Sequence, residues 1–288
     1  MPSVLIITVN YKGADSTARF LASVARLEHF QHAHVIIVEN GSCDGSAEKL
    51  RPLVVEFSNV ELLESPVNRG YFGGANWALQ QYLAKGHKPD WVIICNNDIL
   101  FDDRQFLCKL FERDSQEVAV IAPAIVARLT GVDCNPFLAS RPTRLQLLRI
   151  RIWHSSYYLM WIKQLLSPHV RALRHRLYSW APKAKPTRPT RIYGAHGAFF
   201  IFSRSYFEAG GYIDDGHFLY AEEVCIAEIC LHLGLGVVHD RELQVWHEGH
   251  QATGRRLNRA MYEHARGALH YTLDKYFHAS RGSKPAQP

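Results

Sequence analysis

Three places in this 288-residue chain pass from apolar to polar within a residue or two: Thr8 to Tyr11 after "SVLII", Glu39-Asn40 after "HVIIV", and Asn96-Asn97-Asp98 after "WVIIC". Amide and carboxylate groups on such stretches need partners, because an unpaired buried polar group costs roughly 2–7 kcal/mol. As turn formers after a strand, Asn and Asp have a second explanation at each place taken alone. A fourth stretch, "NRGYFGGAN" from Asn68 to Asn76, is glycine-rich and opens a helix, so its amides can face a phosphate. It is not a Walker loop, since no Gly-Lys-Ser/Thr follows, and Arg69 is either a phosphate partner or solvated. Further on, Glu222-Glu223 place two carboxylates side by side, and "VWHEGH" offers His247 and His250.

The elements that must position these groups alternate. "SVLIITVNY", "HVIIVEN", "VELLES" and "DWVIICNND" read as buried strands. Between them lie "STARFLASVARL", with Phe20, Val24 and Leu27 at helical spacing, "AEKLRPLVVEF", and "GGANWALQQYLAKG" with Gly86 as its C-cap. Strands separated by helices pair in parallel through right-handed crossovers, which predicts a doubly wound, Rossmann-like α/β fold with a mostly parallel central sheet flanked by helices. Ligands of such sheets lie beyond the carboxyl ends of the strands. The polar ends at Asn10–Tyr11, Glu39–Asn40 and Asn96–Asp98 therefore describe a cleft. "VAVIAPAIV" is a further strand, and the α/β pattern resumes at "IYGAHGAFFIFSRSYF".

Between these two stretches the composition changes. From Cys134 to Phe207 there are thirteen Lys/Arg and no Asp or Glu, so a net charge of +6 hides a remainder that is net negative. Leu145, Leu148, Ile152, Leu159, Ile162 and Leu166 fall near helical spacing with Trp153, Tyr157, Tyr158 and Trp161 among them. A second helix is expected after Ser167-Pro168, carrying Val170, Leu173, Leu177 and Trp180, then an extended Pro-rich connector. The six cysteines form no Cys-x-x-Cys pair, which argues against a zinc ribbon or a disulfide scaffold. The N-terminus lacks a signal peptide's basic region, and no stretch reaches 18 apolar residues, so a cytoplasmic protein is expected.

Taken in order, "TVNY", "IIVENGSCDGS", "NRGYFGGANWAL", "CNND", "GAHGAFFIFSRSYFEAGGYIDDGHFLYAEEV" and "VWHEGH" resemble family 2 glycosyltransferases, and within them the bacterial rhamnosyltransferase-like members of the GT-A fold. The resemblance spans roughly Val4 to Phe277, interrupted by the basic segment. It implies a nucleotide-sugar-binding half over 1–133, a basic helical insertion over 134–191, an acceptor half over 192–250 and a C-terminal helix over 251–280. It also implies an inverting enzyme that uses Mg²⁺ or Mn²⁺ to move a sugar from a nucleotide diphosphate to a glycan or lipid-linked hydroxyl.

The same resemblance distributes roles. Asp98 closes the metal motif, His247 completes the metal shell or meets the diphosphate, and Asn96 and Asn97 support with amides. Thr8, Asn10, Tyr11 and Glu39 hold the nucleoside, and Asn68, Gly70 and Asn76 match the family's glycine-rich pattern. Glu39 stands where the family has Asp, and Phe72 and Ala75 depart from the pattern. Glu223, preceded by Glu222, falls at the catalytic base, while the Asp-Leu that usually follows is Cys225-Ile226 and the usual Arg is Ile229. His196 is placed near the acceptor, and Arg266 and Lys275 match the C-terminal pattern. Tyr11 suits packing nearly as well as binding, and Asp44 suits a helix cap.

The basic segment, 141–191, reads either as a surface for an anionic membrane or as a helical lid over a phosphorylated sugar donor. Membrane contact places the protein peripherally at the inner face of the plasma membrane. A nucleic-acid role is disfavoured, since no recognised motif appears and acidic strand ends repel phosphate. The altered "AEEVCIAEI" leaves a second function open: a catalytically degenerate homologue that binds nucleotide sugar or glycan as a scaffold.

Overall fold

The computed structural model describes residues 2–166, 188–249 and 258–278. The expected second basic helix, most of the Pro-rich connector and His250 lie outside the described residues.

The first half is the expected alternation. Strand β1 (Val4–Asn10) pairs in parallel with β2 (Ala33–Asn40) on one side and β4 (Trp91–Asn96) on the other, and β3 (Val60–Ser65) extends the sheet beyond β2. Side chains alternate across this sheet. Val4, Ile6, Val35 and Ile37 share one core with Phe20, Leu21 and Val24 of helix α1 (Ala14–Val24) and Leu50 of α2 (Ser46–Val54). Leu5, Ile7, Ile36 and Val38 meet Phe72, Ala75 and Leu79 of α3 (Tyr71–Ala84) on the other face. The chain steps from β3 back past β2 and β1 to lay down β4, so the strand order reverses at β1, the place where such sheets open a crevice. Gly86 does end α3: its φ of 85° is left-handed and its N–H returns to Leu83 O at 2.9 Å.

Beyond β4 the sheet becomes mixed. β6 (Val120–Ala127) and the long β9 (Val237–His247) are parallel to each other, whereas β8 (Phe199–Ser203) runs antiparallel between β4 and β6. Short β7 (Thr190–Ile192) is antiparallel to β9. Two-residue β5 (Ile99–Leu100) follows β4 by a single turn yet pairs with β9 at the opposite end of the strand order. Only a sheet that curls on itself can satisfy both connections. Helix α4 (Phe106–Phe111) covers the curl with Phe106, Leu107 and Leu110.

The periodicity at 145–166 resolves into two helices, α5 (Arg144–Trp153) and α6 (157–166). Thr143 and Gln146 form a reciprocal capping box that starts α5. At the break, His154 O accepts from Tyr262 Oη at 3.0 Å, and Tyr157 lies edge-on to the Tyr262 ring. Tyr262 belongs to the C-terminal helix, so a tertiary contact decides where one helical run becomes two. Three further helices follow: α7 (Arg204–Glu208), α8 (Glu222–His232) and α9 (Arg259–Thr272), the last continued by a π-turn over Leu273–His278.

Candidate active site

Asp98 stands in the turn after β4, and His247 is the last residue of β9. The β5–β9 pairing sets Ile99 opposite His247, and Glu248 N donates to Asp98 O at 3.0 Å. Asp98 Oδ1 consequently lies 3.2 Å from His247 Nε2. Asp98 is 6% exposed, and this oxygen accepts no hydrogen bond. A buried carboxylate oxygen left unpaired costs about 1–3 kcal/mol or more, and a cation shared with the facing imidazole nitrogen could satisfy it. The residues present fit a divalent ion, to which they could offer one carboxylate oxygen and one imidazole nitrogen.

His196, on the turn before β8, lies with its ring centroid 5.9 Å from that of His247. Burial pushes its pKa down to about 4, with His247 adding to the effect and Asp98 opposing it. The next residue connects to the other carboxylate: Gly197 N donates to Glu223 Oε1 at 3.1 Å. A Cβ on Gly197 would sit 2.7 Å from that oxygen, so glycine is what admits it. Glu223 and Glu222 open α8 after Tyr220 and Ala221, which both hold left-handed φ values, 72° and 69°. Consecutive non-glycine residues there are strained by about 1–3 kcal/mol each, and such strain gathers at functional sites. Burial, reinforced by Glu223, pushes Glu222 up to about 8; burial also raises Glu223. Both carboxyls are therefore biased toward the protonated form.

The remaining polar strand ends mostly hold the loops around the cleft. Glu39 Oε1 and Oε2 accept from Ser42 N (2.9 Å) and Gly41 N (3.2 Å). Asn97 Nδ2 donates to Thr17 Oγ1 (2.9 Å) and Gly13 O (3.2 Å), and Thr17 in turn donates to Asn10 Oδ1. These two asparagines thus fasten β4 and β1 to the start of α1. Asn10 Nδ2 and Thr8 Oγ1 are buried without partners among the described residues, while Tyr11 is 38% exposed with Lys12 over its ring. Asn96 N donates to Ala198 O, tying β4 to the His196 turn.

Asn68 Oδ1 receives Asn40 Nδ2 (3.0 Å) and Gly70 N (2.9 Å), and Asn40 Oδ1 receives Arg69 N. Asn40 is the hub that holds the glycine-rich loop; the sequence marks it by its strand-end position and by its place in the family's motif after β2. Arg69 donates to Ser65 Oγ and lies over Trp77. Gly70, at φ 76°, passes so close to Phe218 that a Cβ would meet its carbonyl oxygen at 2.0 Å. This contact locks the loop to the segment leading into Glu222. Asn76 Nδ2 reaches Asp215 Oδ2 at 2.9 Å across the same seam. Tyr71 Oη is buried without a partner, and burial, with the charges of Cys95, Glu222, Glu223 and Asp98, pushes its pKa well up.

Asp214 carried no signal in the sequence. Its carboxylate accepts from Tyr271 Oη (2.6 Å), Lys275 Nζ (3.1 Å) and Tyr276 Oη. Lys275 sits among the rings of Tyr212, Tyr271 and Tyr276, 5.2–5.5 Å from their centroids. Burial works against the charge on Asp214, yet these partners keep its pKa below the usual carboxylate range. Asp214, His217 and Cys225 also bring three ligand-type atoms within 4.8 Å of one another. The ammonium of Lys275 is already the cation there, so this cluster fastens the C-terminal turn to the segment before Glu222. Arg266 is exposed.

A family model, "Glycosyl transferase family 2", matches residues 3–211. The chain belongs to glycosyl transferase family 2. Its similarity to an N-acetylglucosaminyl-diphospho-decaprenol L-rhamnosyltransferase of Mycobacterium tuberculosis is 24% identity over 277 residues, 94% of this chain and 84% of that protein. A low-salt glycan biosynthesis hexosyltransferase, Agl10 of Haloferax volcanii, is 23% identical over 219 residues, 76% of this chain and 58% of that one. Among solved structures, GalNAc-T7 with UDP, GalNAc and Mn²⁺ superposes with a TM-score of 0.62 at 13% identity, covering 98% of this chain and 50% of that one. The Pyrobaculum calidifontis mannosyltransferase PcManGT, in complex with GDP-Man and Mn²⁺, gives 0.54 at 14% identity over 99% and 77%. The family 2 chain thus has the GT-A fold, and it spans about half to five-sixths of these four proteins.

Proposed function

We propose that this family 2 glycosyltransferase is metal-dependent and inverting, moving a hexose from a nucleotide-diphosphate sugar to a hydroxyl of a cell-surface glycan or lipid-linked oligosaccharide. One observation carries this reading: the Asp98–His247 pair and the Glu223 carboxylate flank a single turn, His196-Gly197. Asp98 and His247 would hold the cation, whose chemistry when bound is to neutralise the departing diphosphate. The imidazole favours Mn²⁺ over Mg²⁺, which takes oxygen ligands almost exclusively. On the far side, Glu223 takes the proton of the acceptor hydroxyl as that oxygen bonds to the anomeric carbon and the bond to diphosphate breaks. Burial biases the neighbouring Glu222 carboxyl toward its neutral form, which lessens competing charge. The strand ends of β1 and β2, with Thr8, Asn10, Tyr11 and Glu39, form the nucleoside side, and Asn96 and the Asn68–Asn76 loop adjoin it.

Rhamnose as the sugar, and a lipid diphosphate as the acceptor, are supported by the mycobacterial relative's name. Contact with an anionic membrane is supported by α5 and α6, which expose Leu145, Leu148, Ile152, Tyr158, Trp161 and Ile162 beside Arg144, Arg149, Arg151 and Lys163. No helix among the described residues is long and apolar enough to cross a membrane. The test incubates purified protein with a panel of UDP-, dTDP- and GDP-sugars, Mn²⁺ and lipid-linked acceptors, following nucleoside-diphosphate release. Release that Asp98→Ala abolishes supports the reading. Binding without release on every acceptor would instead indicate a scaffold, and no binding at all defeats both.

A further inference from the structure

We infer that His196 is a sugar-binding residue of this site, donating a hydrogen bond from Nε2–H to an oxygen of the transferred sugar. The inference rests on the donor-site reading above and deepens it. Its basis is the ring's tautomer, which the backbone dictates. Ala198 N lies 3.1 Å from His196 Nδ1, and an amide N–H can only donate. Nδ1 must therefore present a lone pair, and the proton of the neutral ring sits on Nε2. That nitrogen has no protein partner among the described residues.

Backbone and ring are both held in place. His196 N donates to Asn135 Oδ1 at 2.8 Å, and Asn135 is itself buried and bonded through Nδ2 to Pro123 O. Phe137 meets the ring edge-on, at 5.6 Å between centroids. A side chain held this firmly, with one donor left over, is preorganised for an acceptor atom. Position names the acceptor. On one side lies His247, paired with Asp98, where the diphosphate is to be neutralised. On the other, Gly197 N holds Glu223, where the incoming hydroxyl is deprotonated. The group that must lie between a leaving diphosphate and an attacking hydroxyl is the sugar. Its hydroxyl and ring oxygens accept from a neutral N–H without the charge a protonated imidazole would bring.

His196→Asn provides the discriminating variant, since its side-chain carbonyl can still accept from Ala198 N while the distal N–H is gone. Calorimetric titration of the full chain with Mn²⁺ compares UDP-, dTDP- and GDP-sugars with their parent nucleoside diphosphates. The expected result is about a tenfold loss of affinity for the sugar nucleotide, the fold-change of one hydrogen bond, with nucleoside-diphosphate affinity and thermal midpoint unchanged. His196→Gln, which can carry an amide N–H outward, should recover part of the loss. Long-range ¹H–¹⁵N spectra of the unliganded protein should show His196 protonated at Nε2. An equal loss for sugar nucleotide and nucleoside diphosphate would assign the contact to diphosphate and overturn the inference. So would unchanged affinity for both, or a proton found on Nδ1. If the unaltered protein binds no nucleotide sugar, the donor-site reading itself falls and takes the inference with it.

Discussion

Replacing Asp98 by Asn should make the metal-free protein more stable while removing its response to ligand. Asp98 is almost fully buried, and its Oδ1 faces His247 without a hydrogen bond. An unmade bond at such an atom costs about 1–3 kcal/mol, and more when the group is charged. An amide of the same shape removes the charge and can donate N–H to His247 Nε2, so a gain of about 1 kcal/mol is expected. In a chain of this size that raises the thermal midpoint by about 2–4 °C. The same change deletes the carboxylate that would hold the cation. Mn²⁺ and a nucleoside diphosphate at about a hundred times their dissociation constant should stabilise the unaltered protein by about 2.7 kcal/mol, and the variant by little. Thermal denaturation in EDTA, and again with Mn²⁺ and UDP, dTDP or GDP, reads both effects. A lower metal-free midpoint for Asp98→Asn, or a ligand shift equal to that of the unaltered protein, would refute the reasoning.

Glu223→Gln should lower the transfer rate by about 10²–10⁴-fold with little change in sugar-nucleotide affinity, as steady-state kinetics and calorimetry together would show. Gly70→Ala should destabilise by about 1–3 kcal/mol from its left-handed φ alone, plus the cost of moving Phe218 O, read as a lower urea midpoint. Lys275→Met leaves the Asp214 carboxylate without its cationic partner, held only by neutral donors from Tyr271, Tyr276 and Gly216 N, and should cost about 3 kcal/mol by the same measurement. Glu222, raised to about 8, keeps in the folded chain a proton that the unfolded chain has released above its ordinary 4.5. The unfolded state thus binds fewer protons between these values, and stability should fall as pH rises through that window. Glu222→Gln should flatten that slope in urea titrations at pH 5, 6.5 and 8.

Much of this architecture was legible because buried parallel strands are written as unbroken apolar runs. β1, β2 and β4 announce themselves this way, and their polar last residues mark the open edge. What lay hidden depends on register between distant segments. Nothing in "ILF" after Asp98 says that Ile99 and Leu100 pair with Trp246 and His247, and that pairing creates the Asp98–His247 contact. The antiparallel insertion of β8 was equally silent, since a short apolar run has no direction in sequence. Nor does the sequence say that Asn97 is tied to the start of α1, or that Glu39, read as a nucleoside contact, also braces the loop after β2. Asp214 was invisible because its partners come from a helix many residues later. Arg141, counted only as part of a basic segment, makes a two-pronged pair with buried Glu228, which Tyr193 also bonds. Composition cannot distinguish such an anchor from a solvated charge.

The curl of the sheet also sets an order of assembly. Strands β1 to β4 leave the ribosome early and can pair from local crossovers, so the sheet edge proposed to hold the nucleoside needs only the first third of the chain. Asp98 is made with them, but its facing imidazole arrives on β9, the last strand of the sheet. The Asp98–His247 contact thus forms only after the longest-range pairing among the described strands has closed. A nascent or truncated chain that stops short of β9 would lack His247, and with it one half of that pair, whatever nucleotide its first strands could grip.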